Sequence, residues 1–185
     1  YPDRLELARN ASQVMPIFRK GKIASMLGIE GGHAIENSLG ALRAYYALGV
    51  RYMTLTHNFT LDWADSASGD ARHGGLTRFG EEVVHEMNRL GMMVDLSHVS
   101  PETMDDAIRV SASPVIFSHS SARVLCDVAR NVPDTILRKL AANDGVVMVT
   151  FVPSFVSQEV ATKGQQRREA LRSRLRGVTD EAEQS

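Results

Sequence analysis

Short runs of consecutive apolar residues alternate along this chain with segments whose apolar residues recur at helical spacing. Five short runs predict β-strands, at residues 23–30, 51–55, 92–96, 114–118 and 145–152. Strands that are apolar almost throughout, without polar alternation, are typical of a parallel sheet buried on both faces. The pattern therefore predicts an α/β fold built from repeated strand–helix units.

Start and stop signals delimit the predicted helices. The predicted helices cover residues 3–18, a segment from Asn37 or Ser38 to Ala47, residues 78–90, a segment that begins at Ser100, and residues 133–142. The first of them is only weakly helical and is interrupted at Pro16. Gly49 and Gly91 follow two of these helices as stop signals, and Pro101 stands in a first turn, where its missing N–H costs nothing. Beyond Pro153 the chain is charged and poor in large apolar residues, which predicts a solvent-facing helix or a mobile tail.

The predicted units match about five of the eight βα units of a (β/α)8 TIM-like barrel, or a complete small open sheet. Since about 250 residues are typical of such a barrel, a chain of 185 residues is expected to be a partial segment of one. The first residues have the look of a helix interior, so we expect the sequence to begin partway into a longer protein. We predict one domain, with a partial barrel over 1–160 and a charged helix or tail over 161–185.

Composition narrows the classes of partner. The chain is 43% hydrophobic and has a formal net charge of −1, which argues against a general nucleic-acid or anionic-membrane surface. Small molecules or peptides fit better. Cys126 is the only cysteine, so an intrachain disulfide is excluded. No apolar run approaches the roughly 18 residues that a membrane span requires.

Four polar side chains stand just after successive predicted strands: Glu30, His57, His98 and His119. The carboxyl ends of parallel strands meet at one edge of a sheet, so these side chains are expected to lie close together. Imidazole and carboxylate groups are common ligands of zinc, and the arrangement predicts a metal site. Alternatively, each histidine is a hydrogen-bonded structural residue, and Glu30 merely caps the glycines after it or pairs with an arginine.

Other polar residues allow two interpretations. Asp95 stands before a strand end and can be a buried partner that orients a metal ligand. Arg130 can bind a carboxylate through its planar fork of donors, or it can pair with nearby acidic residues. Three further histidines are interpreted as structural or solvated: His33, His73 and His85.

Several long motifs resemble one family. LGIEGGHAIENSLGALRAYYALGVRYMTLTH, WAD, LTRFGEEVVHEMNRLGMMVDLSHVS, PVIFSHSSA and RNVPD occur in this order between residues 24 and 151. They are similar to the membrane (renal-type) dipeptidases and their bacterial relatives, which are zinc peptidases of the amidohydrolase-like barrel group.

The resemblance implies a role for each matched residue. Glu30 corresponds to the carboxylate that bridges two Zn²⁺ ions in the complete site, and His98 and His119 correspond to two ligands of the second ion. His57 corresponds to a histidine that contacts the substrate and stabilises the tetrahedral intermediate. Arg130 corresponds to an arginine that binds the substrate's carboxylate. The implied reaction is hydrolysis of a dipeptide by a metal-bridged hydroxide. The resemblance is also compatible with a homodimer and with a protein that is exported or membrane-anchored.

Three departures from the family pattern leave alternatives open. A His-x-Asp pair would lie upstream of Tyr1, an acid/base aspartate would lie downstream of Ser185, and Phe155 stands where some relatives carry a tyrosine. The 185 residues of this chain would then supply the ligands for only one side of a binuclear metal site. The alternatives are hydrolysis of a lactam or an acyl amino acid, and a non-catalytic, metal-binding accessory role.

Overall fold

The structure, a computed structural model, describes residues 1–183. Its strands are β1 (Leu5–Leu7), β2 (Ile23–Ser25), β3 (Leu27–Glu30), β4 (Val50–Thr54), β5 (Met93–Asp95), β6 (Ile116–Ser120) and β7 (Val146–Val149). Its α-helices are α1 (Ala11–Arg19), α2 (Leu39–Leu48), α3 (Arg78–Leu90), α4 (Pro101–Val110), α5 (Asp134–Ala142), α6 (Pro153–Val156) and α7 (Gln158–Glu183). A short 3-10 helix covers Gly32–Ile35.

Five strands form one sheet in chain order, β3-β4-β5-β6-β7, and all neighbouring pairs are parallel. The helices α2, α3, α4 and α5 each connect two consecutive strands of this sheet. The prediction of an α/β fold with a parallel sheet is therefore confirmed. Because the strands share one direction, all their carboxyl ends lie at the same edge of the sheet.

The strand predicted over 23–30 is divided in the structure. Ile23–Ser25 forms β2, which pairs with β1 in a separate two-stranded parallel sheet, and the chain joins the large sheet only from Leu27. The prediction of one continuous strand was wrong at Met26. The two halves pair with different strands, β2 with β1 and β3 with β4. Hydrophobicity along the chain does not show this difference in pairing.

The helix predicted over 3–18 was wrong in its first part. Leu5–Leu7 is extended and pairs with Ile23–Ser25, and the helix α1 begins only at Ala11. The side chain of Asn10 marks this start, because its Oδ1 accepts the N–H of Gln13 at 3.2 Å.

The other helix signals agree with the structure. The predicted helix over 78–90 is α3 with the same bounds, and it ends at Gly91, whose φ of +78° favours glycine. Ser38 caps α2 by accepting the N–H of Ala41, and Gly49 ends it with a φ of +112°. The segment beyond Pro153 contains the short helix α6 and the long, mostly polar helix α7.

The domain division at residue 160 stays a prediction, and residues 184 and 185 of the predicted tail lie outside the described residues. Within the part of the chain that the structure covers, none of the helices combines the length and the apolar character that crossing a bilayer demands.

The core lies between the large sheet and its connecting helices. Its members include Met53, Val94 and Phe117 from the strands and Leu42, Val83, Val84, Met87, Met104, Ile136 and Leu140 from the helices. The expectation that every strand is buried on both faces was wrong for β3 and β7, the outer strands. Val146 and Val149 of β7 are about half exposed.

A buried carboxylate joins two of the connecting helices. Glu86 of α3 accepts hydrogen bonds from Arg89 at 2.7 Å and from Arg43 of α2 at 2.6 Å. The bonds from Arg89 are the main cause that lowers the pKa of Glu86 from 4.5 to about 2, with Arg43 assisting and burial opposing. Glu86 is therefore a carboxylate at neutral pH and holds α2 against α3.

We expect Glu86→Gln to lower the free energy of unfolding by about 1 kcal/mol at neutral pH, because charge-assisted bonds become neutral ones while both arginines keep access to water. Since the folded-state pKa lies below the unfolded value, wild-type Glu86 contributes this stability above about pH 4.5 and loses it towards pH 2. Denaturant unfolding of the metal-free protein at a series of pH values measures the difference between the two proteins. A difference that does not narrow on acidification would contradict this account.

Candidate metal centre

Three potential metal ligands meet at the carboxyl edge of the sheet. Glu30 is the last residue of β3, His98 follows β5 by three residues, and His119 lies within β6. Glu30 Oε1 is 3.1 Å from the Nε2 atoms of both His98 and His119, and these two nitrogens are 2.8 Å apart. One ligand atom from each residue thus lies within 4.8 Å of the others. The strand ends bring together side chains that are separated by 68 and 21 positions in the sequence.

The donor set fits a divalent transition metal. Two imidazole nitrogens and one carboxylate oxygen are ligands that zinc accepts in proteins, and they leave coordination positions open. Among the side chains that the structure describes, which are those of residues 1–175, no other group of three or more such residues gathers in this way.

His57 and Arg130 lie beside this cluster. His57 Nε2 is 3.8 Å from Glu30 Oε1, and the ring centroid of His57 is 4.4 Å from that of His98. Arg130 donates from Nη2 to the carbonyl of His119 at 3.4 Å, and its guanidinium carbon lies 5.3 Å from the centroid of the Phe155 ring. All five predicted site residues therefore lie in one region of the structure.

The charges in the cluster favour metal binding. Burial raises the pKa of Glu30, but the histidines His119, His57 and His98 together outweigh it and lower that pKa below its ordinary value. Burial, assisted by the charge of Arg130 and by the proximity of the other two imidazoles, lowers the pKa of His98 to about 4, against the attraction of Glu30. At neutral pH the cluster therefore presents an ionised carboxylate and a neutral His98, the protonation states that a metal requires.

A relay of hydrogen bonds orients the His119 ring. Ser118 Oγ donates to Asp95 Oδ2 and lies 2.7 Å from His119 Nδ1. Because the single hydroxyl hydrogen goes to Asp95, the hydroxyl can only accept from Nδ1–H, and this leaves the lone pair of His119 on Nε2. Asp95 is fully buried and also accepts the N–H groups of Ser97 and Ser118 at 3.0 Å. Asp95 therefore acts through Ser118 to orient the His119 ring, in agreement with the interpretation of Asp95 as a buried partner of a metal ligand.

The other three histidines lie outside the cluster. His33 is exposed in the 3-10 helix beside Phe59, His73 contacts the carbonyl of Leu61 at 2.9 Å, and His85 is exposed on α3. Cys126 is buried and donates to the carbonyl of Ser154.

Sequence reasoning missed the hydroxyl residues around the cluster, namely Thr56, Ser66 and Ser118. Ser118 stands next to His119, and this adjacency in FSHSS is a usable signal. Ser66 offers none, because it lies 32 positions before His98, whose carbonyl it contacts.

Parallel βα units with a cluster of imidazole and carboxylate groups at their carboxyl edge are typical of metal-binding proteins with a (β/α)8 barrel. Within this class, the family model of the membrane dipeptidases (peptidase family M19) matches residues 1–181, and the chain belongs to that family.

Relatives and solved structures agree with this membership. The chain is 52% identical to dipeptidase verJ of Clonostachys rogersoniana over 153 residues, which are 82% of this chain and 39% of the relative. It is 50% identical to dipeptidase tcpJ of Claviceps purpurea over 160 residues, 86% of this chain and 38% of the relative. It thus spans about two fifths of the length of these relatives.

Among solved structures, a metallo peptidase from Rhodobacter sphaeroides, liganded with a phosphinate mimic of the dipeptide L-Ala-D-Ala, has a TM-score of 0.78 at 29% identity. The likeness covers 84% of this chain and 46% of that one. The prediction that these residues form a segment of a TIM-like barrel is confirmed by this likeness.

Proposed function

We propose that this chain is part of a zinc-dependent dipeptidase in which Glu30, His98 and His119 bind metal. The observation that carries the proposal is the convergence of Glu30 Oε1, His98 Nε2 and His119 Nε2 at the carboxyl edge of the sheet. Membership of the membrane dipeptidases supports the reaction class, and the two fungal relatives are themselves named dipeptidases.

We propose further that the complete site holds two Zn²⁺ ions and that Glu30 bridges them. The side chain of Glu30 is 55% exposed, whereas that of His98 is 8% exposed. One carboxylate oxygen faces the two histidines, and the exposure leaves the group accessible to a second ion. A carboxylate between two cations also lowers their mutual repulsion.

A metal held by Glu30, His98 and His119 would supply Lewis-acid polarisation of a carbonyl and would lower the pKa of a water molecule. The chain's own residues orient the reaction around it. Ser118 and Asp95 hold His119 with Nε2 free, as their hydrogen bonds require. Burial keeps His98 neutral, with a pKa of about 4. Both imidazoles are thus prepared to act as ligands before a metal arrives.

His57 is placed to stabilise negative charge on the substrate. Its Nε2 stands 3.8 Å from Glu30 Oε1, and the side chain is 32% exposed. When the carbonyl of a bound dipeptide becomes an oxyanion, a hydrogen bond from His57 Nε2–H would stabilise it. In this role His57 contacts the reacting atoms and does not hold the metal.

Arg130 is placed to bind the carboxylate of a dipeptide. Burial is the main cause that lowers the pKa of Arg130, to about 10, so the side chain is still charged at neutral pH. Its Nε is buried and finds no hydrogen-bond acceptor among the described residues. Arg130 also borders a cavity of about 330 Å³ lined by Phe155 and by residues of α7. A partly buried arginine beside an open space favours an anionic ligand group.

Metal content and turnover of the intact protein test this function together. We expect about two zinc ions per complete site after purification without chelator, as the family resemblance implies, and hydrolysis of small dipeptides. Dialysis against a chelator should abolish hydrolysis, and added Zn²⁺ should restore it. An intact protein that holds no stoichiometric transition metal would overturn the proposal.

A further inference from the structure

The backbone at His98 adopts a conformation that is unfavourable for a residue with a Cβ atom. Its φ is +74°, in the left-handed region where glycine is usual. This residue is buried, and its Nε2 meets Glu30 and His119. Unfavourable backbone conformations persist only where the surrounding structure holds them.

Three donors from outside β5 hold the carbonyl of His98. The N–H of Ala67 donates to it at 2.8 Å, and the hydroxyls of Thr56 and Ser66 donate at 3.2 Å. Thr56 follows β4, while Ser66 and Ala67 belong to the long loop that connects β4 to α3. This loop therefore contacts the backbone of a proposed metal ligand directly.

Ser66 joins the two histidines. Its Oγ lies 2.7 Å from the carbonyl of His57 and 3.2 Å from that of His98. A hydroxyl has one hydrogen, so the two carbonyls share it, and the shorter contact is to His57. Ser66 is buried, and so is its contact with the carbonyl of His98. One hydroxyl thus links the backbones of residues whose rings stand 4.4 Å apart.

The neighbours of Ser66 hold it in place. The carboxylate of the adjacent Asp65 accepts four consecutive backbone N–H groups, from residues 72–75, at 2.8 to 3.2 Å. The carbonyl of Asp65 accepts the N–H of Ser100 and the hydroxyl of Thr103, both at 3.0 Å. The loop is therefore bonded to itself and to the start of α4, so Ser66 does not depend on the histidines for its position.

We propose that Ser66 is a positioning residue of the metal centre. Together with Thr56 it holds His98 in the left-handed conformation and sets the position of His57 relative to His98. The proposal rests on the proposed function, in which His98 binds metal. Ser66 itself contacts neither the metal nor the substrate.

Three variants of the intact protein test this role. Ser66→Ala removes the shared hydroxyl, and Thr56→Val removes one donor to His98 at nearly constant volume. Thr77→Ala is the matched control, because it removes a hydroxyl at the far end of the same loop, where Thr77 Oγ1 accepts the N–H of Gly80 and caps α3. The measurements are Zn²⁺ affinity by competition with a chromogenic chelator, the absorption spectrum of the Co²⁺-loaded protein, and the melting temperature of the metal-free protein.

We expect Ser66→Ala to weaken Zn²⁺ binding about tenfold and to shift the Co²⁺ absorption bands. Thr56→Val should weaken binding about threefold, because it removes a donor to the His98 carbonyl alone and leaves the Ser66 link between His57 and His98 in place. Thr77→Ala should lower the melting temperature and leave both metal readouts as in the wild type. If Ser66→Ala fails to fold, Thr56→Val decides the question by the same two metal readouts.

The possible failures are distinguishable. Wild-type affinity and an unchanged Co²⁺ spectrum in Ser66→Ala, or in Thr56→Val where that variant decides, overturn the positioning role and leave the metal site standing. If Thr77→Ala loses as much Zn²⁺ affinity as Ser66→Ala, the positioning role is also overturned, because the loss of affinity then reflects general destabilisation of the protein. A wild-type protein that does not bind Zn²⁺ overturns the proposed function itself.

Discussion

Replacement of His119 with alanine is expected to remove about one of the two metal ions proposed for the intact protein and to lower dipeptide turnover roughly 1,000-fold. The substitution deletes one of three converging donors and leaves Glu30 and His98, which are too few to retain a divalent ion against dialysis. Folding should be largely unaffected, because the His119 side chain is 33% exposed at the sheet edge and is not part of the hydrophobic core. Metal analysis after dialysis and initial rates on a small dipeptide measure the two effects.

His85→Ala is the matched control for this experiment. His85 is an exposed histidine on α3, so its removal changes the histidine count without touching the cluster. Its metal content and turnover should equal those of the wild type. Retained turnover in His119→Ala, with a normal melting temperature, would contradict the assignment of His119 as a ligand.

Replacement of Arg130 with alanine is expected to lower kcat/KM for dipeptides about 100-fold while leaving metal content unchanged. The loss corresponds to a charge-assisted contact between a partly buried guanidinium and the substrate's carboxylate. Arg130→Lys should recover only part of it, since an ammonium lacks the planar fork that binds both carboxylate oxygens.

A second substrate separates this role from a structural one. A dipeptide whose terminal carboxylate is amidated lacks the group that Arg130 is proposed to bind. The wild type should prefer the free dipeptide, and Arg130→Ala should lose that preference by about the same factor by which it loses kcat/KM. Arg138→Ala, at an exposed position on α5, is the control. A preference that survives in Arg130→Ala would show that the carboxylate is bound elsewhere.

The parts of the fold that were predictable from the sequence are those with local signals. The bounds of α3 follow from apolar residues at helical spacing and from Gly91, and the start of α2 follows from Ser38. The first 30 residues were poorly predicted, because β1 and β2 are three residues each and exist only as a pair. A segment that short carries too little periodicity to distinguish a strand from a helix.

The convergence of Glu30, His98 and His119 was also predictable, for a reason of geometry. Side chains that follow parallel strands must meet at one edge of the sheet, and so three positions spread along the chain could be placed together before any distance was known. Their roles as ligands, and those of His57 and Arg130, remain predictions that the variants above test.

The sequence by itself determined the class of fold, the edge at which the polar groups meet, and the kind of ligand that those groups prefer, because periodicity and side-chain chemistry are local properties. Only the tertiary structure decided how the groups are held. The left-handed backbone of His98, the shared hydroxyl of Ser66 and the Ser118 relay from Asp95 to His119 all depend on hydrogen bonds between atoms that different loops and strands bring within about 3 Å. Such contacts leave no pattern along the chain, since each partner is an ordinary serine, threonine or carbonyl until folding places it beside a histidine.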